Sequence, residues 1–282
     1  VYGYQRLETP STASVRQINS EYTANEAKRT KQTASPVILG GSFEIDRVIA
    51  QTSGAINEMD FQIKQKTKAG ANYFHNLVIN GTSASSGAGY VPNTFDGLKK
   101  ILSGKSTEMT TDIDVSTSAM LDSNYNAFLD ELDTFLALLA AKPDVLMMNN
   151  KMLTKIRSAA RRAGYYDRSK DDFGRTVETY NGILLMDAGE YYNGSATEDV
   201  VATSTPDSTH YGTSDIYAAK LGLDALHGIS VDGSKMLKTY LPDMSAPGAV
   251  KKGEVELIAG AVLKNSKMAG VLKGIKLLGK TL

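Results

Sequence analysis

The sequence predicts an α+β fold, in which helices and strands follow one another without regular alternation. Three segments, 53–79, 123–142 and 151–163, favour helices because their apolar residues recur every three or four positions. Short apolar or alternating runs between and after these segments indicate strands. Since helices and strands do not repeat as strand–helix–strand units, a regular parallel sheet is not expected.

The first 40 residues predict an extended arm without a core of its own. They are rich in Ser, Thr, Gln and Asn, and they contain few large apolar side chains. Residues 1–7 have a weak strand pattern that Thr9-Pro10 interrupts, and residues 35–39 form a second extended piece. We therefore expect a long, poorly packed hairpin or arm that needs a partner. The apolar residues of its second piece are expected to pair with the edge of another chain: Val37, Ile38 and Leu39.

A single long helix is expected after the arm. Ser53 can cap its N-terminus, and Asn80-Gly81 supplies a left-handed C-terminal stop in which Gly81 has a positive φ. About 27 residues at about 1.5 Å each would make a rod of roughly 40 Å. Such a length is unusual for a compact enzyme.

Two further helices flank a short strand. Ser123 can cap a second helix that stops before Pro143. The apolar run 145–148 then predicts a buried strand. A third helix is expected over 151–163, with Gly164 closing it.

The C-terminal half is predicted to be rich in β-structure. Asn181-Gly182 indicates a hairpin or strand pair within 177–186. Segments 216–223 and 255–278 also have strand-like patterns.

Composition bounds the class of protein. The chain has 282 residues, of which 41% are hydrophobic and 22% charged, close to the average of globular proteins. The absence of cysteine excludes disulfides, thiolate metal sites, iron–sulfur clusters and cysteine nucleophiles. No apolar run approaches the roughly 18 residues that span a bilayer, so no membrane partner is expected. Because the chain begins with Val1 rather than Met, we expect it to be processed or part of a longer product.

Charge is distributed in blocks although the formal net charge is zero. Residues 106–145 and 176–250 each have a net charge of −7, and residues 146–175 and 251–282 each have a net charge of +5. Alternating blocks favour a protein that packs against copies of itself, because opposite patches on neighbours fix their register. Differently charged solvated faces would produce the same pattern, so both interpretations stay open.

No motif supports catalysis, a metal or a cofactor. Gly104-Lys105-Ser106 resembles the end of a phosphate-binding loop, but Lys99 occupies the position of the first glycine. Asp112 and Asp114 resemble the start of a calcium loop in which Thr117 replaces the turn glycine. The three histidines lack metal-ligand spacing, and no Gly-x-Ser-x-Gly motif is present. We therefore expect no catalytic residue, no metal and no cofactor.

The third helix has a cluster of basic residues with two interpretations. These residues would meet nucleic-acid phosphates or would form an ordinary solvated face. The cluster consists of Lys151, Lys155, Arg157, Arg161 and Arg162.

Taken together, these features resemble the major capsid proteins of tailed bacteriophages, which have the Hong Kong 97 type of fold. The shared features are a basic and polar arm, one very long helix, a Gly-rich loop before Phe95-Asp96-Gly97-Leu98, and a β-rich C-terminus. More specific similarities cover LVINGT at 77–82, NTFDGL at 93–98, PDVLMMN at 143–149 with the helix 151–162, YNGILLMD at 180–187, SDIYAA at 214–219, and 254–272.

The resemblance implies an organisation into four segments. An extended loop at about 1–42 would be followed by a peripheral domain at 43–99 with the long spine helix. An axial domain would cover 100–224, and residues 225–282 would return to the peripheral domain as its last strands.

The resemblance also implies function through assembly. Subunits would form hexamers and pentamers that tile an icosahedral shell around packaged double-stranded phage DNA, with portal and scaffold or decoration proteins as further partners. The protein would reside in the virion capsid after assembly in the host cytoplasm. An encapsulin-type bacterial nanocompartment shell of the same fold, with enzyme cargo, is the alternative.

The resemblance assigns roles to residues of the loop and the long helix. Lys64 and Lys68 of the long helix would face the DNA. The extended loop would contact neighbouring subunits through Tyr4, Arg6, Arg16, Arg29, Val37 and Ile38.

Overall fold

The computed structural model describes residues 2–52, 57–83, 94–164, 167–170, 176–231 and 236–281. Its helices are α1 Arg47–Thr52, α2 Glu58–Asn80, α3 Leu98–Leu102, α4 Ser118–Ala137 and α5 Asn150–Ala163, with a 3-10 turn at Ser266–Met268. Its strands are β1 Tyr2–Thr9, β2 Lys28–Ala34, β3 Val37–Asp46, β4 Glu108–Thr110, β5 Val145–Met148, β6 Asp167–Lys170, β7 Thr176–Tyr180, β8 Ile183–Asp187, β9 Glu190–Tyr192, β10 Thr197–Asp199, β11 Gly212–Ala219, β12 Leu226–Ile229, β13 Leu237–Tyr240, β14 Val250–Leu263 and β15 Ala269–Leu278.

A seven-stranded mixed sheet forms the larger half of the body. Its strand order is β4-β15-β11-β5-β8-β7-β6. The pairs β4–β15 and β5–β8 are parallel, and the remaining pairs are antiparallel. The irregular order confirms the predicted α+β class, because no repeated strand–helix–strand unit generates this sheet.

Both faces of the central strands are buried. Side chains of a strand point to opposite faces in turn, so Leu146 and Met148 of β5 pack on one side while Val145 and Met147 pack on the other. The first side is covered by α4 and α5, through residues such as Phe128 and Ile156. The second side is covered by Ile79, Leu98, Leu102, Val200 and Val201. The predicted strand 145–148 is confirmed, and its continuous apolar run follows from burial on both faces.

A second, antiparallel sheet is built around the long strand β14. The strand β3 pairs with one edge of β14 over its whole length, from Val37↔Ala259 to Asp46↔Val250. The shorter strands β13 and β12 pair with the other edge. The helix α2 packs on this sheet through two apolar clusters, which contain Leu77 near one end of the helix and Met59 near the other.

The long helix exists and ends where predicted, at Asn80 with Gly81 as its C-cap, but its start and the conformation of Gly81 differ from the prediction. It begins after Asn57, whose side chain accepts hydrogen bonds from the backbone N–H groups of Met59 and Asp60. The predicted cap Ser53 lies outside the described residues, as does most of the Gly/Ser-rich loop after the helix. At the C-terminal end Gly81 has φ −55° and ψ 144°, so the left-handed stop is absent.

Close backbone packing explains the glycine at position 81. Its N–H donates to the carbonyl of Leu77, and its carbonyl accepts from the N–H of Gly97. A Cβ at this position would lie 2.5 Å from the Leu77 oxygen and 2.6 Å from the Phe95 oxygen. The chain therefore needs glycine here for space and not for a positive φ.

The second helix begins earlier than expected. Thr117 is its N-cap and accepts from the N–H of Met120, whereas the predicted cap Ser123 lies inside the helix and donates to the carbonyl of Ala119. The additional turn buries Leu121 in the core, and this packing favours the earlier start.

Local signals placed the third helix and the hairpin correctly. The helix α5 ends at Gly164, which has φ +79°. Asn181 and Gly182 have φ +50° and +71° and join β7 to β8. The strands expected around 216–223 and 255–278 correspond to β11, β14 and β15.

The strand β3 corrects one expectation about the arm. This segment pairs with β14 of the same chain, through Val37↔Ala259, Ile38↔Ile258 and Leu39↔Leu257. The predicted pairing of the segment with the edge of another chain is therefore wrong along the edge that β14 occupies. The boundary expected at residue 42 falls inside β3, and β15 of the segment 225–282 pairs within the seven-stranded sheet. Within the described ranges, no helix has the length and apolarity needed to cross a membrane.

Candidate functional site

The strands β1 and β2 form a hairpin that projects from the body. They pair antiparallel from Tyr2↔Ala34 to Thr9↔Lys28, with an irregularity between Leu7 and Thr9. In the described part of the chain, the four clusters of buried apolar residues contain nothing before Val37. An isolated two-stranded hairpin is at best marginally stable in water. This arm therefore needs further contacts to be held in one conformation.

The end of the arm carries exposed apolar side chains. Residues 10–27, between the two strands, are exposed throughout. Val15 is 100% exposed and Ile18 is 92% exposed. The guanidinium of Arg16 lies 5.6 Å from the ring centre of Tyr22 and donates to the carbonyl of Ser20 at 3.1 Å. Val15 and Ile18 are therefore available for contact with another chain.

The base of the arm is attached to the body through its first strand. The Arg6 guanidinium donates from Nη2 to the Leu263 carbonyl at 3.1 Å and to the Tyr4 hydroxyl at 3.0 Å. The ring of Tyr2 meets the ring of His227 edge-on, with centroids 6.0 Å apart. These contacts connect β1 to β14 and β12.

The residues that sequence analysis assigned to subunit contacts separate into three groups. Tyr4 and Arg6 are half-buried at the base of the arm, and Arg16 and Arg29 are exposed along it. Ile38 is 71% exposed. Val37 is only 4% exposed and belongs to the cluster under α2, so it is a core residue and cannot serve as a subunit contact.

Lys64 and Lys68 lie one turn apart on the exposed side of α2. Among the described residues, neither ammonium forms an ion pair within 4 Å. Two such lysines on one helix face are available to an anionic partner.

The basic cluster of the third helix is largely neutralised within the chain. Arg157 pairs with Glu178, Arg162 pairs with Asp122, and Lys151 lies 3.9 Å from Asp199. Lys155 donates to the Ser116 carbonyl at 2.7 Å, and its burial lowers its pKa. Arg161 donates to the Ser158 hydroxyl. The structure thus favours a structural role for this face over phosphate contact.

Two features of this region were not predicted from the sequence. Val15, Ile18 and Tyr22 recur every three or four positions in an otherwise polar segment, and that spacing was a usable signal. A cavity that joins Arg6 to Lys100 and Lys105 was not foreseeable, because almost a hundred intervening residues must fold before these side chains meet. No group of three or more His, Asp or Glu side chains in the described ranges could hold a metal ion.

Comparison with protein families gives one match. Residues 8–184 match the model of the SU10 major capsid protein. This stretch contains most of the arm, the helix α2 and the central strands and helices up to β8. A search of the curated proteins gives no match.

Solved structures share the fold over nearly the whole chain. The holo-SrpI encapsulin complex from Synechococcus elongatus aligns with a TM-score of 0.64 and 13% identity, covering 99% of this chain and 84% of that one. The capsid of Myoviridae phage XM1 aligns with a TM-score of 0.56 and 12% identity, covering 97% and 85%. The structure of Mycobacterium phage Bobi aligns with a TM-score of 0.58 and 11% identity, covering 96% and 84%. The fold is thus that of Hong Kong 97-type phage capsid proteins and encapsulins.

Proposed function

The chain belongs to the SU10 major capsid protein family, and from this premise we propose that it assembles as hexamers and pentamers into an icosahedral shell around phage double-stranded DNA. The protein is a structural component of a virion capsid, and its family membership calls for no catalytic step. Portal protein, together with scaffold or decoration proteins, completes the set of partners, and assembly takes place in the host cytoplasm.

The projecting arm is the observation that carries the proposal for assembly. It contributes nothing to the apolar clusters of the described chain, yet it presents Val15 and Ile18 almost fully to solvent. Burying such side chains against a neighbour stabilises the contact by a free energy of about 25 cal/mol per Å² of apolar surface removed from water. In a shell, every copy offers the arm an identical neighbour, so one sequence supplies both sides of the contact.

Each assigned residue except Val37, which lies in the core, has a role in this proposal. Arg16, Arg29 and Ile38 contact the neighbouring subunit from exposed positions, while Tyr4 and Arg6 hold the base of the arm. Lys64 and Lys68 face the DNA, and their exposed ammonium groups contact phosphates without reading sequence.

The four-segment organisation remains part of the proposal. The arm covers about 1–42, the peripheral domain 43–99 and 225–282, and the axial domain 100–224. The long helix on the β3–β14 sheet supports the peripheral domain. The seven-stranded sheet supports the axial domain, to which β15 then contributes a strand.

An encapsulin-type shell is the second candidate, because the encapsulin structure shares the fold over nearly the whole chain. The contents of the particles distinguish the two. Double-stranded DNA inside the shell of a virion supports the capsid, whereas a protein cargo and no genome supports the nanocompartment.

The arm's role is tested by adding charge to its apolar residues. The double variant Val15→Asp, Ile18→Asp should fold but form no closed particles, since burying two carboxylates at a contact is costly. The matched control is Ser14→Asp, Gln17→Asp, which adds the same charge at exposed polar positions of the same segment. Negative-stain electron microscopy and sedimentation measure particle formation, and circular dichroism measures folding.

We expect polyhedral particles from the wild-type protein and from the control variant. Particles of normal size and yield from Val15→Asp, Ile18→Asp would contradict the role of the arm. Absence of particles from the wild-type protein when it is produced together with its scaffold would contradict the shell itself.

A further inference from the structure

A cavity of about 440 Å³ lies between the arm and the body. Tyr4, Arg6 and residues 32–35 line its arm side. Asp96, Lys100, Lys105 and neighbouring residues line its body side, around the turn before α3. The cavity therefore has one wall on the arm and one wall on the body, so a ligand inside it would contact both.

The charges in this cavity do not balance. Its described lining has three cations, Arg6, Lys100 and Lys105, and a single carboxylate, Asp96. Asp96 already has three hydrogen-bond donors: it accepts from the Lys100 ammonium at 2.8 Å and from the backbone N–H and hydroxyl of Ser83 at 2.8 and 2.6 Å. Burial raises the pKa of Asp96, but these hydrogen bonds outweigh burial and hold its pKa below the usual value. Arg6 and Lys105 are left without a carboxylate among the described residues.

Arg6 also has an unused donor. Its Nε is buried and has no hydrogen-bond partner in the described chain. The two acceptors that Nη2 reaches, the Tyr4 hydroxyl and the Leu263 carbonyl, are both uncharged. A buried donor on a cation is normally satisfied, because leaving it without a partner costs free energy. The guanidinium of this cavity-lining residue thus has an unsatisfied N–H and, among the described residues, no carboxylate partner.

We propose that this cavity is an oxyanion-binding site whose occupant bridges the arm and the body. A guanidinium presents adjacent N–H groups that match two oxygens of a carboxylate or a phosphate. Lys105 adds a second cation from the opposite wall, and the hydroxyls of Thr33, Ser35 and Ser103 line the same space. The ligand is either inorganic phosphate or a single carboxylate side chain of a neighbouring copy. An anion held from both walls fixes the angle of the arm.

The first experiment titrates inorganic phosphate into the unassembled chain, with heats of binding measured by calorimetry against chloride of equal ionic strength. We expect saturable binding by the wild-type protein. Arg6→Gln and Lys105→Gln should each weaken it about tenfold or more, because each removes a charge-assisted hydrogen bond to the anion. The matched controls are Lys28→Gln on the same hairpin and Lys99→Gln on α3, both exposed and outside the cavity lining. They should bind phosphate like the wild type.

A second measurement tests the bridge. Phosphate should slow amide hydrogen exchange in residues 2–9 and 28–34 of the wild-type chain and have no such effect in Arg6→Gln. The same titration with assembled particles identifies the occupant. Binding by the unassembled chain and not by particles supports a neighbour's carboxylate in the shell, and equal binding by both supports a free anion.

The proposal is overturned if phosphate does not bind the unassembled chain, or if Arg6→Gln binds it as the wild type does. Phosphate binding by the unassembled chain does not depend on shell formation. A protein that binds phosphate but forms no particles would therefore refute the proposed assembly while leaving the anion site supported.

Discussion

Two carboxylates on either side of β15 have opposite electrostatic environments. Asp215 of β11 is half-buried, and this burial raises its pKa, although the N–H of Gly274 donates to it at 3.2 Å. Glu108 of β4 pairs with Lys273 and accepts from the N–H of Gly104, and these hydrogen bonds lower its pKa. A single strand, β15, thus separates a carboxylate whose ionisation the fold disfavours from one whose ionisation it favours.

These shifts predict opposite pH dependences for two isosteric variants. The folded state holds the proton of Asp215 more tightly than the unfolded state does. The resulting contribution of Asp215 to folding stability is present at low pH and is lost as the pH rises through its raised pKa. Asp215→Asn should therefore raise the melting temperature of the unassembled chain at about pH 7, with a smaller gain at about pH 3. Glu108 contributes to folding stability at high pH, where it is ionised, and that contribution is lost as the pH falls through its lowered pKa. Glu108→Gln should therefore lower the melting temperature at about pH 7, with a smaller loss at about pH 3.

Thermal unfolding followed by circular dichroism at the two pH values measures both differences. Each variant is compared with the wild type at the same pH, so the general effect of acid cancels. A variant whose difference from the wild type is equal at both pH values would contradict the environment assigned to that carboxylate.

At the level of elements, the helix α2 contains one glycine in its interior and ends at another. Gly70 has no heavy atom within 4 Å of the position of a Cβ, so a side chain fits there without contact. Gly81 lies where the end of the helix meets the turn before α3, and a Cβ there would overlap the Leu77 and Phe95 carbonyls. The same substitution should therefore have opposite effects at the two positions.

Gly70→Ala should stabilise the unassembled chain by about 0.5–1 kcal/mol, because alanine restricts the unfolded state and favours helix. Gly81→Ala should destabilise it by about 1–3 kcal/mol, because the backbone must shift to admit the methyl group. Chemical denaturation with urea measures both free energies. A Gly81→Ala chain as stable as the wild type would contradict the close approach of the Leu77 and Phe95 carbonyls to position 81.

The elements that sequence predicts well are those whose signals are local. Gly164 ends α5, and Asn181-Gly182 turns the hairpin, because both need backbone conformations that few residues adopt. The start of α4 was missed because Thr117 and Ser123 are both competent caps, and only the burial of Leu121 decides between them. Gly81 was assigned the wrong reason because its conformation is not left-handed, and part of its constraint comes from the carbonyl of Phe95, fourteen residues away in the chain.

For the whole molecule, the arm was the more predictable part of the candidate site. Its polar composition predicted that the first 40 residues have no core of their own, and in the described chain no buried cluster includes a residue before Val37. The residue at which the arm ends and the core begins was not predictable. Val37 and Ile38 point to opposite faces of β3, and only the pairing of β3 with β14 shows which of the two is buried. The cavity at the base depends on long-range contacts that no local pattern encodes.

This division between arm and body predicts that the stability of the subunit and its assembly can be separated. Thr9 and Lys28 are directly paired, so replacing residues 10–27 by an Asn-Gly turn closes the hairpin without strain. The shortened chain should keep its free energy of unfolding within roughly 1 kcal/mol, because only exposed residues are lost, and it should form no particles. Phe128→Ala, in the core beneath the seven-stranded sheet, should instead cost about 3–5 kcal/mol. Urea denaturation and sedimentation measure the two properties independently. A shortened chain that loses as much stability as Phe128→Ala would show that the arm belongs to the fold of the subunit and is not reserved for its neighbours.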